Sequence, residues 1–340
     1  MTHVLRRISE YVCRHPWLAI ALFVAAYGIR TSDQVEFRTI SAAPFGMNLP
    51  PEHQFLYGSP FTFFVGSYYQ HHGLDDRAAY FVVYLLGIAL LCVSLRKALA
   101  RLVGDEGRRL ATIVMLSSPL LFVVLSWIGK SDAYLLAFFF LLTTTESAAT
   151  QVVLCVLMLL CHREMGAAVL LAYLCLKKRR AWQPIVLGLV LGETALFIYT
   201  RVLLSSVPAS RTAYAVGHAS ALWNIFWSHP FLHLLASFGP FWVYVMTRKT
   251  VTLAAAAIFI VAMVLSIISY DFTRVFVIVS TPLVLEVTRE AVADFTQHGG
   301  IAIGKYRLGL HALWPLMFVQ VQLAGAKILW ARCVDIVLGS

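Results

Sequence analysis

Residues 133–176 read AYLLAFFFLLTTTESAATQVVLCVLMLLCHREMGAAVLLAYLCL. Three apolar runs, 133–145, 149–161 and 165–176, are separated by TTTES at 143–147 and CHRE at 161–164. The runs are continuous rather than alternating, which fits helices and excludes the two-residue period of a transmembrane barrel. Each run holds only about 12–14 residues, whereas crossing a bilayer core takes about 20. Two readings follow. Either the polar ends extend ordinary spans, or these are half-depth helices bounding a water-filled cavity, since broken helices at membrane depth persist only where protein or water covers them.

The composition around this block points the same way. Over 340 residues, 60% are hydrophobic and 13% charged, with a mean hydropathy of +0.77; soluble domains run at about 45–50% apolar and about 25% charged. Further apolar runs lie near 17–29, 78–95, 110–127, 182–204, 230–246, 251–269, 275–287 and 308–326. The expected fold is therefore an all-α membrane protein, a polytopic bundle of about 11 transmembrane helices forming a single domain over 1–340.

The net charge of +10 is clustered rather than spread. Arg96, Lys97, Arg101, Arg108 and Arg109, then Lys177, Lys178, Arg179 and Arg180, then Arg248 and Lys249 lie in short segments between apolar runs. That is the positive-inside pattern beside anionic lipid, not a nucleic-acid footprint. With Arg6, Arg7 and Arg14 before the first run, the N-terminus is placed on the cytoplasmic side. That run is short enough for a signal peptide, and is read as a retained first span. The expected location is a cell inner membrane, multi-pass. The six cysteines, Cys13, Cys92, Cys155, Cys161, Cys175 and Cys333, form no CxxC pair; they read as apolar packing residues, with no disulfide or zinc site predicted.

On this parity a long outer loop covers 30–77 and a second covers 205–229. The first continues through HQFLYGSPFTFFVGSYYQHHG, whose mix of Phe and Tyr with small residues at 59–70 predicts an interfacial helix. The second ends in Trp227, Ser228, His229 and Pro230, which read as an interface anchor.

An ionisable residue at membrane depth costs about 2.5–3.5 kcal/mol and needs a reason. Outer turns collect several: Asp33 and Glu36, flanked by Arg30 and Arg38; Lys130 and Asp132 in GKSD; His162, Arg163 and Glu164 in CHRE; Asp271 and Arg274 in SYDFTRVF. Carboxylates beside cations suit a reaction in which a base takes a proton while cations hold an anionic leaving group. Arg163 and Arg274 can grip phosphate oxygens bidentately, with Lys130 as a point charge. Glu193 differs: it falls mid-run in LVLGETALF. It reads either as a protonated side chain bonded to a neighbouring Thr or Tyr, or as part of a proton or substrate path. Glu146 reads as a solvated turn residue. The His71-His72 pair is by itself too few donors for a metal site.

With these residues in view, the chain resembles the GT-C superfamily of polytopic membrane glycosyltransferases that use polyprenyl-phosphate sugars. The likeness covers about the first 180 residues: the acidic first outer loop with Asp33 and Glu36, its continuation Phe55-Leu56-Tyr57-Gly58-Ser59-Pro60, the turn GKSDAYLL, and CHRE. The resemblance implies inverting transfer of a sugar from a polyprenyl-phosphate donor to a glycan or glycolipid acceptor on the outer face. It implies Asp33 or Glu36 as base, Lys130, Arg163 and Arg274 on the donor phosphate, and Asp132, His162, Glu164 and Asp271 in support. Some members use a divalent metal and others none. SYDFTRVF is also similar to the outer Asp/Arg segment of membrane polysaccharide polymerases. A transporter or flippase of a lipid-linked or anionic substrate, and a scaffold subunit of an envelope-assembly complex, stay open beside the transferase.

Overall fold

The structure, a computed structural model, describes residues 58–72, 77–116, 118–120, 123–124, 130–176, 182–203, 253–267, 272–299, 301–303 and 306–308, with isolated positions at 11, 217, 220–221 and 223–224. Over these residues the chain is helical except for one short hairpin. In order come α1 (Pro60–His71), α2 (Arg77–Leu116), α3 (Asp132–Thr144), α4 (Ala148–Cys161), α5 (Arg163–Leu176), α6 (Trp182–Ile198) with a π turn at Tyr199–Leu203, α7 (Leu253–Ile267) and α8 (Phe272–His298). Strands β1 (Ile301–Ile303) and β2 (Tyr306–Leu308) pair antiparallel. The expected runs at 17–29 and 230–246, and that at 308–326 beyond Leu308 of β2, lie outside the described residues. Two segments, Val82–Gly104 and Trp182–Val202, are long and apolar enough to cross a membrane.

The chain divides into two compact units. One comprises Met1–Gly28, Leu99–Val123 and Ser220–Ser340; the other comprises Ile29–Ala98 and Val124–Ala219.

The second unit is built around α4. Residues 145–147 turn α3 back onto it, and a single non-helical residue, His162, turns α5 back again. That reversal is tight: a Cβ on Gly166 would lie 2.6 Å from the Met158 carbonyl oxygen. Ser147 caps the N-terminus of α4 through its side chain to the Thr150 amide. α6 packs along α4 in parallel, with Gly188 against Cys155 and Gly192 against Leu159, where added Cβ atoms would meet contacts at 2.5 and 2.3 Å. This is a small-xxx-small seam, which lets two helices approach without needing water to drive them together. Cys155, Met158 and Leu159 are fully enclosed by it.

α1 is the helix expected at 59–70, and its first turn is seated on protein. Ser59, Thr62 and Phe63 are buried, while Phe64 and Tyr68 are exposed. Phe61 stacks on Tyr134 of α3 and Phe64 on Tyr199 of the π turn, at centroid distances of 4.9 and 6.0 Å. Tyr134 also donates its hydroxyl to the Val83 carbonyl of α2 and fills the space over Gly87.

Three expected loop or span boundaries are corrected. The basic segment 96–109 is helical, because Leu, Ala, Arg and Lys are strong helix formers; Ala98 and Leu99 are buried while Arg96, Lys97 and Arg101 face outward. Only Gly104 interrupts α2, at φ 73° and ψ 173°, a conformation essentially reserved for glycine. The run at 110–127 is broken after Leu116, where Ser118 turns back on Met115 ahead of Pro119, which has no amide to donate. In the first unit, α8 continues well past 287 to His298, supported by Arg289–Glu286 and His298–Asp294 pairs one turn apart. Its first half is core: Phe276, Ile278 and Val279 are wholly buried, and Thr288 meets Met115.

Candidate functional site

The second unit brings three of the sequence segments to one end. The antiparallel path of α3, α4 and α5 places the start of α3, the end of α4 and the start of α5 side by side. The Ser131 hydroxyl donates to the Cys161 carbonyl at 2.6 Å, satisfying one of the last carbonyls of α4, which has no intrahelical donor. That bond ties GKSD to CHRE. The start of α1 joins them, since a Cβ on Gly58 would lie 3.1 Å from Glu164 Oε2. So Gly58-Ser59-Pro60, Lys130-Ser131-Asp132 and CHRE, far apart in the chain, share one end of one unit through residues 58, 131, 161 and 164.

Helix N-termini carry partial positive charge, and three of them meet here. Asp132 stands in the first turn of α3 and Glu164 in that of α5, both positions where a carboxylate is favoured. Asp132 and His162 are buried at 1% and 2% exposure, so neither reaches solvent directly. His162 Nδ1 lies 3.4 Å from the Met165 amide and 3.5 Å from Glu164 Oε2. With the proton on Nε2, Nδ1 accepts from Met165; with a proton on Nδ1 it can only donate, towards Glu164. Lys130 is half-buried beside Ser131.

Arg163 opens α5, where a cation is disfavoured by the helix end, and it is matched by Glu193 of α6. Arg163 donates from Nε at 3.0 and 3.2 Å to the two carboxylate oxygens, and from Nη2 at 2.6 Å. The expectation of a protonated Glu193 bonded to a nearby Thr or Tyr is thus replaced by an ion pair. Its hydrogen bond to Glu193 pushes the Arg163 pKa up, against a smaller lowering from desolvation. The α4–α6 seam sets the register: Gly192 packs on Leu159, so the next residue, Glu193, lies beside the end of α4 where Arg163 opens α5.

The pair lines a cleft of about 560 Å³. Its walls are Leu189, Val190, Leu196 and Phe197, with Thr194 and Thr200. Both threonine hydroxyls donate to carbonyls one turn back on their own helix. The π turn carries Thr200 to this face, and Arg201 stacks over Phe197 at 5.8 Å. A charged fork at the mouth of an apolar trough suits an amphiphile with an oxyanion head.

Arg274 belongs to the first unit, buried at 6% exposure in the first turn of α8. Asp33, Glu36, Arg30, Arg38 and Asp271 lie outside the described residues. Among the described residues, no three His, Cys, Asp or Glu side chains gather as a metal-ligand set. His71 and His72 touch only edge to face, at 5.2 Å. Against protein-family models, curated proteins and solved structures the chain finds no match.

Sequence reasoning missed the Arg163–Glu193 pair, the Ser131 bond and the threonines of the cleft. One signal was legible: Gly188 and Gly192 precede Glu193 at small-xxx-small spacing, which marks the packed face of α6 and places Glu193 at its edge.

Proposed function

We propose that this chain is a membrane-embedded transferase that moves a sugar from a polyprenyl-phosphate donor to a glycan or glycolipid acceptor at the outer face. The observation that carries the reading is the Arg163 guanidinium, held by Glu193 at the mouth of the apolar cleft on α6. A lipid phosphate would set its oxygens on that cation and lay its first isoprene units along Leu189, Val190, Leu196 and Phe197. Membrane embedding is supported by the two long apolar segments, whose windows are only 33% and 28% buried. A soluble core helix would be mostly enclosed. Here Leu86, Val93, Val190, Phe197 and Val202 are left on the outside, as lipid-facing residues are.

In this reading Asp33 or Glu36 accepts the proton of the acceptor hydroxyl. The oxygen attacks the anomeric carbon, the bond from that carbon to the phosphate oxygen breaks, and the electron pair leaves with the polyprenyl phosphate. Arg163 and Lys130 offset the charge gathering on that phosphate. Asp132, His162 and Glu164 hold the shape of the turn. A polysaccharide polymerase of related architecture uses the same parts with a growing glycan as one substrate.

The test is transfer of label from radiolabelled polyprenyl-phosphate sugars by purified chain in nanodiscs, with membrane extract as acceptor. Label should move, and Arg163→Gln should cut the rate about tenfold to a hundredfold, the worth of a charged hydrogen bond. Asp33→Ala or Glu36→Ala should abolish transfer in one case; full activity in both would remove the base from this scheme. A transporter of a lipid-linked anion is the second reading, favoured by a paired carboxylate, Glu193, within a spanning-length segment. It predicts saturable uptake into vesicles with label unchanged on its carrier.

A further inference from the structure

We infer that Glu193 is a resident counter-ion which an anionic amphiphile displaces from Arg163, so that the cleft is occupied by its own carboxylate until a stronger oxyanion arrives. The inference rests on the cleft being a lipid-phosphate site and adds how that site selects its ligand. Three features carry it. The Glu193 carboxylate takes the Nε and Nη2 donors of Arg163 side-on, the fork geometry by which guanidinium binds any two-oxygen anion. Both partners line the same cleft, so a ligand anion there must face the Glu193 charge or replace it. The pair is also open, with side chains 53% and 39% exposed, and ion pairs at that exposure are weak enough to exchange.

The displaced carboxylate sets a threshold. The polyprenyl phosphate released by transfer is a monoester with up to two negative charges and three acceptor oxygens, and it outcompetes a single carboxylate for the guanidinium more strongly than the singly charged diester donor does. A zwitterionic phosphocholine brings its own cation and gains little by the exchange. The apolar walls add affinity only for a ligand with a hydrocarbon tail.

The experiment measures binding of decyl phosphate, inorganic phosphate and decylphosphocholine to the full chain in nanodiscs, by calorimetry. Wild type, Arg163→Gln, Glu193→Gln and Glu193→Asp are compared, each first shown to be monodisperse. Decyl phosphate should bind wild type, weaken about tenfold or more with Arg163→Gln, and tighten by up to about fivefold with Glu193→Gln, the fold-change that losing an exposed ion pair corresponds to. Glu193→Asp, one methylene shorter, should tighten binding by a smaller factor, and serves alone if Glu193→Gln does not fold. Decylphosphocholine should be indifferent to Glu193→Gln.

Weaker binding in Glu193→Gln would overturn the inference: Glu193 would then be holding the guanidinium for a ligand on its Nη1 edge, and the lipid-phosphate reading would survive. No effect of Arg163→Gln would overturn both. Inorganic phosphate binding as tightly as decyl phosphate would remove the apolar trough from the site and make the ligand a free anion.

Discussion

Ser131 is the smallest side chain on which the candidate site depends. Its hydroxyl is the donor for a carbonyl at the end of α4, in a position where no water substitutes, since Ser131 is 3% exposed. Ser131→Ala leaves that carbonyl without its donor and should cost about 1–3 kcal/mol, read as a lowered unfolding midpoint in detergent; an unchanged midpoint would mean the bond adds nothing. None of this was visible in the sequence, where GKSD stood out for Lys130 and Asp132 and not for the serine between them. The same holds for Arg163 and Glu193. Each was noticed alone, Arg163 as a phosphate ligand and Glu193 as an isolated mid-run acid, because a pairing between residues 30 positions apart is set by how two helices are registered. Local spacing carries no trace of it.

At the scale of elements, the apolar runs between 133 and 204 translate into helices within one or two residues at most ends, because continuous apolar stretches bounded by polar breaks report directly on helix length. What the runs do not report is where a charged stretch goes on being helical, as at 96–103, or which glycines serve packing. Gly188 and Gly192 divide in a testable way. A methyl on Gly188 meets the Cβ of Cys155 and the backbone oxygen of Val152, neither of which yields; at Gly192 the nearest atom is the terminal Cδ1 of Leu159, which a change of rotamer can move. Gly188→Ala should therefore destabilise by about 1–3 kcal/mol. Gly192→Ala should be nearly neutral, its strain offset by up to about 1 kcal/mol of helix propensity. Thermal unfolding of the two variants side by side checks the order, and the reverse order would place the seam elsewhere. Gly104 makes a different prediction. A Cβ there meets nothing within 4 Å, so Gly104→Ala costs only backbone strain, about 1–3 kcal/mol, and its helical circular dichroism should rise if the chain relieves that strain by closing the break.

At the scale of the whole molecule, the apolar composition and two segments of spanning length are what the proposed embedding rests on. The proposed embedding predicts that the chain stays with membranes through an alkaline carbonate wash and is released by detergent; release by carbonate alone would remove the embedding. Orientation is checked on a cysteine-free background: a single cysteine at Lys130 should react with an impermeant maleimide from outside, and one at Arg101 only after permeabilisation. The three helices α3, α4 and α5, with 13, 14 and 14 residues, are each about 20 Å long, against about 30 Å of hydrocarbon. None is long enough to be admitted to the bilayer on its own merits during synthesis. α4 is sheathed by α3, α5 and α6, yet α6 is made last of the four. A ribosome that has delivered everything up to Leu176 has therefore produced a hairpin pair with an unsheathed centre, waiting on a helix still in the exit tunnel. A chain ended after Leu176 should then be cleared by quality control, whereas one extended past Leu203 should be retained in the membrane. In that embedding, completion of this unit waits on residues 177–203, and slower translation there would lengthen the time α4 stands uncovered.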